Sequence, residues 1–169
     1  MSSFETLQDL LLNELRDLYS AEKQLVKALP KLARAAHHAG LEAAFNAHLA
    51  ETEGHVVRLE EAFRLLQVEP KAKTCKAMEG LIAEGEEAIK LKAAEPIQDA
   101  CLIGAAQRVE HYEIAAYGTA RAFADALQLH DITALLNSTI QEEGAADKKL
   151  TSLSKTINEQ AALRQTAAA

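Results

Sequence analysis

Arg108-Val-Glu-His-Tyr-Glu-Ile-Ala-Ala-Tyr117 lies in the middle of a segment, Ile97 to about Leu127, whose interior stripe reads Ala100, Ile103, Gln107, Glu110, Glu113, Tyr117 and Ala124. Glu110 and Glu113 are three residues apart, so both project from one side of a helical turn, where a buried face should carry leucine. Ionised carboxylates in an apolar interior cost several kcal/mol apiece unless something compensates them. Three other stretches repeat the pattern: Glu14-x-x-Asp17, Glu51-x-x-x-His55 and Glu143-x-x-x-Asp147. One such pair is common on the exposed face of any Ala- and Leu-rich helix. Four of them, one near the middle of each long helix, mark a site.

The helices are read from the spacing of apolar residues. A first helix starts near Phe4 and carries Leu7, Leu10, Leu11, Leu18, Leu25 and Leu29 on one stripe. Pro30 predicts a kink or a short second segment through about Ala39, with Gly40 as the stop. A second helix runs from about Leu41 to Leu66 with Phe45, His48, Glu51, His55 and Leu59 in register, and a linker follows from Gln67 to Lys73. A short amphipathic helix is expected over Thr74 to Lys92, capped by Thr74. Pro96 suits the first turn of the next long helix. Asp131 is placed to cap a last one reaching about Ile157. This describes an all-α four-helix bundle with a long crossover and an additional short helix between helices two and three. The bundle domain covers 1–160, and a flexible C-terminal tail covers 161–169.

Composition agrees. Of 169 residues 49% are hydrophobic but only 4% aromatic, with seven Gly, three Pro and no Trp, which suits long helices rather than sheets. The net charge of −7, with 18 Lys and Arg scattered among 25 Asp and Glu, offers no basic stripe for nucleic acid. No apolar run approaches the ~18 residues of a membrane span, and the start, MSSFETLQDLLLNELRD, has no secretory pattern. Cys75 and Cys101 make no disulfide framework and read as inert buried thiols. A cytoplasmic protein is expected. No nucleophile elbow, phosphate loop or dinucleotide fingerprint is present, so hydrolase and nucleotide-binding chemistry have no support.

Carboxylates with an imidazole are the usual ligands of a metal pair in a bundle core, where two divalent ions roughly 3.5–4 Å apart need bridging anions. The expected metal ligands are Glu14, Asp17, Glu51, His55, Glu110, Glu113, Glu143 and Asp147, with His48 one turn before Glu51 to replace or support His55. Seven carboxylates exceed what two ions need, so some must stand outside the site. An oxygen-rich set without thiolate points to iron or manganese rather than zinc. Tyr19, Tyr112 and Tyr117 read first as packing residues with a hydroxyl at the rim, and Tyr117, in register with Glu110 and Glu113, is the one of the three best placed to serve the site.

Four segments carry a family resemblance: Glu14-Leu-Arg-Asp-Leu-Tyr-Ser-Ala-Glu22, His48-Leu-Ala-Glu-Thr-Glu-Gly-His55, Arg108 to Tyr117, and Gln141-Glu-Glu-Gly-Ala-Ala-Asp147. Over about Phe4 to Leu153 the chain resembles the YciE/YciF-type stress proteins of the ferritin-like superfamily. The resemblance implies a ferritin-like fold, two iron ions (or manganese), a homodimer and a bacterial stress role. It departs from the wider ferritin-like pattern in two places. The Glu51–His55 spacing is one residue longer than Glu-x-x-His, and the last helix carries Asp147 where that pattern has histidine. The function expected is a di-metal protein meeting a small oxidant, peroxide or dioxygen. The alternatives are a helical interaction or dimerisation module without catalysis, and metal storage.

Overall fold

The computed structural model describes residues 4–167, with side chains to residue 163. Five helices follow one another, and there is no strand among the described residues: α1 (Leu7–Ala35), α2 (Ala39–Leu65), α3 (Lys76–Lys90), α4 (Glu95–Ala126) and α5 (His130–Ala167). The all-α bundle read from periodicity is the observed architecture. Among the described residues no helix is long and apolar enough to cross a membrane.

Helix ends depart from expectation in several places, at α1 and α3 through local caps and at α2 through a tertiary partner. α1 begins at Leu7 because Thr6 and Asp9 form a capping box. The Thr6 hydroxyl accepts from the Asp9 amide at 3.1 Å, and the Asp9 carboxylate accepts from the Thr6 amide at 2.9 Å. Pro30 lies inside α1, which remains one element to Ala35. Gly40 does not stop a helix; it sits in the first turn of α2, whose N-cap is His38. The turn is held from α4. The buried Asp99 carboxylate accepts from the His37 and His38 amides at 2.9 and 2.8 Å. Gly40 is needed for room: a Cβ there would meet His38 Cε1 at 3.0 Å and Leu153 Cδ2 at 3.2 Å. Cys75, not Thr74, caps α3. Asp131 lies within the first turn of α5, and the helix continues past Ile157 to Ala167.

α2 and α5 run antiparallel, since Arg58 meets Thr139 while Gly40 meets Leu153. α1 and α4 are antiparallel too: Asp99 near the start of α4 reaches the residues that follow α1, and Leu11 and Leu15 share a core with Ala120 and Ala124. With α1 against α2 and α4 against α5 in the two hairpins, α2 and α4 must run in the same direction. The connection between them therefore has to cross the length of the bundle. It does so along α1, where the Lys73 amide bonds the Arg16 carbonyl at 3.0 Å and the Cys75 amide bonds Ser20 Oγ at 3.1 Å. α3 then packs on α1 and α4.

Buried residues recur every seven positions: Leu15, Glu22 and Leu29 on α1; Leu41, His48, His55 and Ala62 on α2; Ile103, Glu110, Tyr117 and Ala124 on α4; Leu136, Glu143, Leu150 and Ile157 on α5. Such columns are the seams of helices packed nearly parallel with a left-handed twist. They build two apolar cores. One contains Leu25, Leu29, Leu41, Phe45, Leu102 and Leu150, and the other Leu11, Leu15, Leu59, Phe63, Ile132 and Leu136. Between them each column changes from aliphatic to polar, and that layer is the candidate site.

Candidate metal centre

The layer is made of Glu22 from α1, His48 and His55 from α2, Glu110 and Glu113 from α4, and Glu143 from α5. Each is at least nine-tenths buried, and the apolar cores above and below exclude water. His48 Nε2 lies 3.4 Å from Glu110 Oε2 and 3.5 Å from Glu143 Oε2. His55 Nδ1 lies 2.9 Å from Glu143 Oε1 and 3.4 Å from Glu22 Oε1. The six residues divide into two overlapping sets, His48, Glu110, Glu113 and Glu143 in one and Glu22, His55 and Glu143 in the other. Within each set one donor atom per residue lies within 4.8 Å of the rest. Glu143 belongs to both and presents a different oxygen to each imidazole.

The remaining imidazole nitrogens are held from outside the layer. His48 Nδ1 pairs with Glu51 Oε2 at 3.1 Å, and His55 Nε2 pairs with Glu142 Oε2 at 2.9 Å. Glu142 is itself clamped by both terminal nitrogens of Arg58, at 2.6 and 2.7 Å. An outer N–H given to a carboxylate fixes the tautomer and leaves the inner nitrogen bare, which is how metal-binding histidines are oriented. Tyr117, fully buried, donates its hydroxyl to Glu22 Oε1 at 2.5 Å.

Eight buried donor atoms of these six residues have no hydrogen-bond partner: Glu22 Oε2, His48 Nε2, His55 Nδ1, Glu110 Oε2, both oxygens of Glu113 and both of Glu143. Orphaned polar atoms are rare in native interiors and costly. Of the nine such side-chain atoms among the described residues eight belong to this layer, the ninth being Arg16 Nε, and the eight are the atom types that bind hard or borderline cations. Charge agrees as well, because four carboxylates and two neutral imidazoles balance two divalent ions. The residues present therefore fit a metal pair.

The titration of the metal-free layer reflects the same strain. Burial pushes the Glu22, Glu110 and Glu113 carboxyls up, and Glu143 adds repulsion to each. Burial would raise Glu143 as well, but the adjoining His55 imidazole and Glu110 carboxyl, with the charges of His48 and His55, hold it down. Burial would lower His55, yet Glu143 and Glu22 outweigh it and hold the imidazole up at about 10. Protons on these groups offset the like charge that a cation would otherwise neutralise.

Of the eight ligands expected from sequence, the structure brings together His55, Glu110, Glu113 and Glu143. The other four are elsewhere. Glu14 is half-buried beside the Asn13 amide at 3.4 Å. Asp17 accepts from the Tyr112 hydroxyl at 2.8 Å, and the same hydroxyl is 2.8 Å from Cys75 Sγ. Glu51 is exposed and braces His48 from outside. Asp147 accepts from the Gln107 amide at 2.9 Å and lies 3.4 Å from His111. Pairing acids three or four apart missed Glu22, a single acid in a leucine stripe, and ranked Glu51 above His48. Both imidazoles come from α2, seven residues apart, rather than one from each of two helices. Cys75 is buried as expected, but Cys101 is exposed.

Comparison with known proteins agrees with this architecture. Protein YciF of Escherichia coli (strain K12) is 45% identical over 152 residues, which are 89% of this chain and 92% of YciF. The crystal structure of that stress protein matches with a TM-score of 0.89 at 44% identity, covering 92% of this chain and 99% of the other. YcfI of Rhodopseudomonas palustris matches with a TM-score of 0.85 at 42% identity, over 89% and 98% of the two chains. A ferritin-like, diiron-carboxylate protein of Bacillus anthracis shares the fold at a TM-score of 0.67, with 17% identity over 90% of this chain and 99% of that one. Residues 6–163 match the family described as a domain of unknown function, DUF892, and with a YciF-like sequence on a ferritin-like bundle the chain belongs to that family.

Proposed function

We propose that this protein binds two iron or manganese ions in the polar layer and meets a small oxidant there, peroxide or dioxygen, as a stress-protective homodimer of the cytoplasm. The observation that carries the reading is the convergence of eight unpartnered donor atoms on one buried layer. His48, Glu110, Glu113 and Glu143 would hold one ion, and Glu22, His55 and Glu143 the other. Metal ions in such a set polarise and orient an oxygen species and exchange electrons with it. The chain's own residues do the rest. Glu51 and the Arg58–Glu142 pair aim the imidazoles, the Tyr117 hydroxyl fixes Glu22, and the two apolar cores keep bulk water out. YciF is called a stress protein, which supports the protective role.

Metal analysis of protein purified without chelator tests the reading. About two ions per chain are expected, and Glu143→Ala should abolish binding with the helical content unchanged. Metal-free protein that cannot be loaded with iron or manganese would leave the interaction-module reading in its place. Consumption of peroxide by the loaded protein then separates an enzyme from a store.

A further inference from the structure

Resting on that di-metal reading, we propose that the cleft between α2 and α5 is a binding site for an organic hydroperoxide: a neutral molecule with an apolar body and one polar head. The cleft encloses about 370 Å³. Pockets of ~300–1,000 Å³ suit small organic molecules, whereas a water-sized species occupies ~30 Å³. Hydrogen peroxide or dioxygen would leave most of it unused.

Its walls explain how it arises. Above and below, the facing positions of α2 and α5 are large: Leu41 and Phe45 with Leu150, and Leu59 and Phe63 with Ile132 and Leu136. Beside the metal layer both helices change to alanine, Ala44 and Ala47 on one side and Ala145 and Ala146 on the other. Small walls alone would mean little. The second observation is the floor, where His48 and Glu110 line the cleft. Both are more than nine-tenths buried, and their inner atoms, Nε2 and Oε2, are unpartnered. A polar head entering between the alanines meets the His48 and Glu110 side chains at the edge of the layer, while Nε2 and Oε2 themselves face inward and are closed to solvent.

Charge selects the class of ligand. Glu51 and Lys149 both line the cleft, one of each sign, so neither an anionic nor a cationic body is favoured. Glu110 repels a carboxylate head at the floor. A hydroperoxide head is neutral, can donate a hydrogen bond to the Glu110 carboxyl group, and carries the oxygen pair to the edge of the layer. On the opposite side of the layer Arg58 of α2 is bonded across to Thr139 and Glu142 of α5.

The probe is cumyl alcohol, the redox-inert analogue of cumene hydroperoxide, titrated into metal-free and metal-loaded protein and followed by amide chemical shifts. Binding in the millimolar range is expected for so small a ligand, with shifts confined to Ala44, Ala47, Ala146 and His48. Ala47→Leu with Ala146→Leu should weaken it on the order of tenfold while metal content and helical circular dichroism stay as in wild type. If the doubly substituted chain does not fold, the Val versions should give a smaller weakening in the same direction. Absent or scattered shifts in a wild-type protein that holds metal would overturn the organic site and leave the di-metal reading standing. Shifts in a protein that never holds metal would do the reverse. Sedimentation supplies the last arm: a dimer that the substitutions split would make the cleft a contact between copies, and the proposal would fall.

Discussion

Glu113 gives the sharpest test of whether the polar layer is kept for a ligand or for stability. Its carboxyl is fully buried, neither oxygen has a hydrogen-bond partner, and burial with repulsion from Glu22, Glu143 and Glu110 pushes its pKa well up. Leaving a buried polar group unsatisfied costs ~1–3 kcal/mol by mutational measures. Glu113→Leu removes that cost and adds an apolar side chain of similar volume between two apolar cores. The metal-free variant should therefore be more stable than metal-free wild type by ~1–3 kcal/mol. At ~2–4 °C per kcal/mol for a domain of this size, the melting temperature should rise by ~2–12 °C. With metal the gap closes. A ligand at ~100 times its dissociation constant stabilises the folded state by ~2.7 kcal/mol, and the variant, short of one carboxylate, should lose most of that gain. Thermal melts of both proteins, with chelator and with manganese, read all four numbers. Glu113→Gln keeps the shape and separates loss of charge from change of packing. A Leu variant that is destabilised in chelator and still gains the full metal shift would refute the reasoning, because the carboxylate would then be satisfied within the fold.

The pH dependence of the metal-free protein follows from the same layer. Glu22, Glu110 and Glu113 are raised above 4.5, so the folded state keeps protons the unfolded chain has released, and stability falls as pH rises beyond that value. His55, raised from 6.5 to about 10, contributes stability that is full below 6.5 and is lost as pH rises through 10. Glu143 is lowered and opposes this only as pH falls below its ordinary range. Melting temperature in chelator should thus decline from about pH 5 to about pH 9 and rise with pH when metal is supplied, since ligands must lose protons to bind it. A flat or rising profile in chelator would count against the raised acids. Arg58→Ala frees Glu142, which braces His55. Metal affinity measured by competition with a coloured chelator should fall ~10–100-fold, while Lys31→Ala, at an exposed surface ion pair, should leave it unchanged.

Helix type and bundle class were legible because long stripes of leucine and alanine have one interpretation. Helix ends were less so, since Gly40, Thr74 and Asp131 each have the chemistry of a terminus, while α3 is capped by the neighbouring Cys75 and the start of α2 depends on a distant group. Asp99, more than sixty residues away, accepts the amides that open α2, and no local rule predicts that. Four of the six residues of the layer, His55, Glu110, Glu113 and Glu143, were legible, and the others were obscured for a related reason. Looking for acids three or four apart finds helix faces of any kind, exposed ones included, and so admits Asp17, Glu51 and Asp147. A column of seven finds only the seam. Leu15–Glu22–Leu29 and Leu136–Glu143–Leu150 both present one acid between two buried leucines, and the first of these was open to inspection in the sequence.

The seven-residue columns also bear on why α2 holds both imidazoles. His48 and His55 occupy one seam two turns apart, so each can face a different metal position while its outer nitrogen points to the edge of the bundle, toward Glu51 or Glu142. A carboxylate at either place would have no N–H to give outward. It would add a fifth negative charge to a layer that four already balance against two divalent ions. With α1, α4 and α5 providing the anions, α2 is left to supply neutral donors. The Glu51–His48 pair also lies beside the alanine-walled cleft, opposite the Arg58 side. The two ends of the layer are thus built differently, one braced by a bidentate ion pair and one open to a small molecule. Exchange of His48 for alanine should therefore alter both metal affinity and the cumyl alcohol shifts, whereas exchange of His55 should alter the first alone.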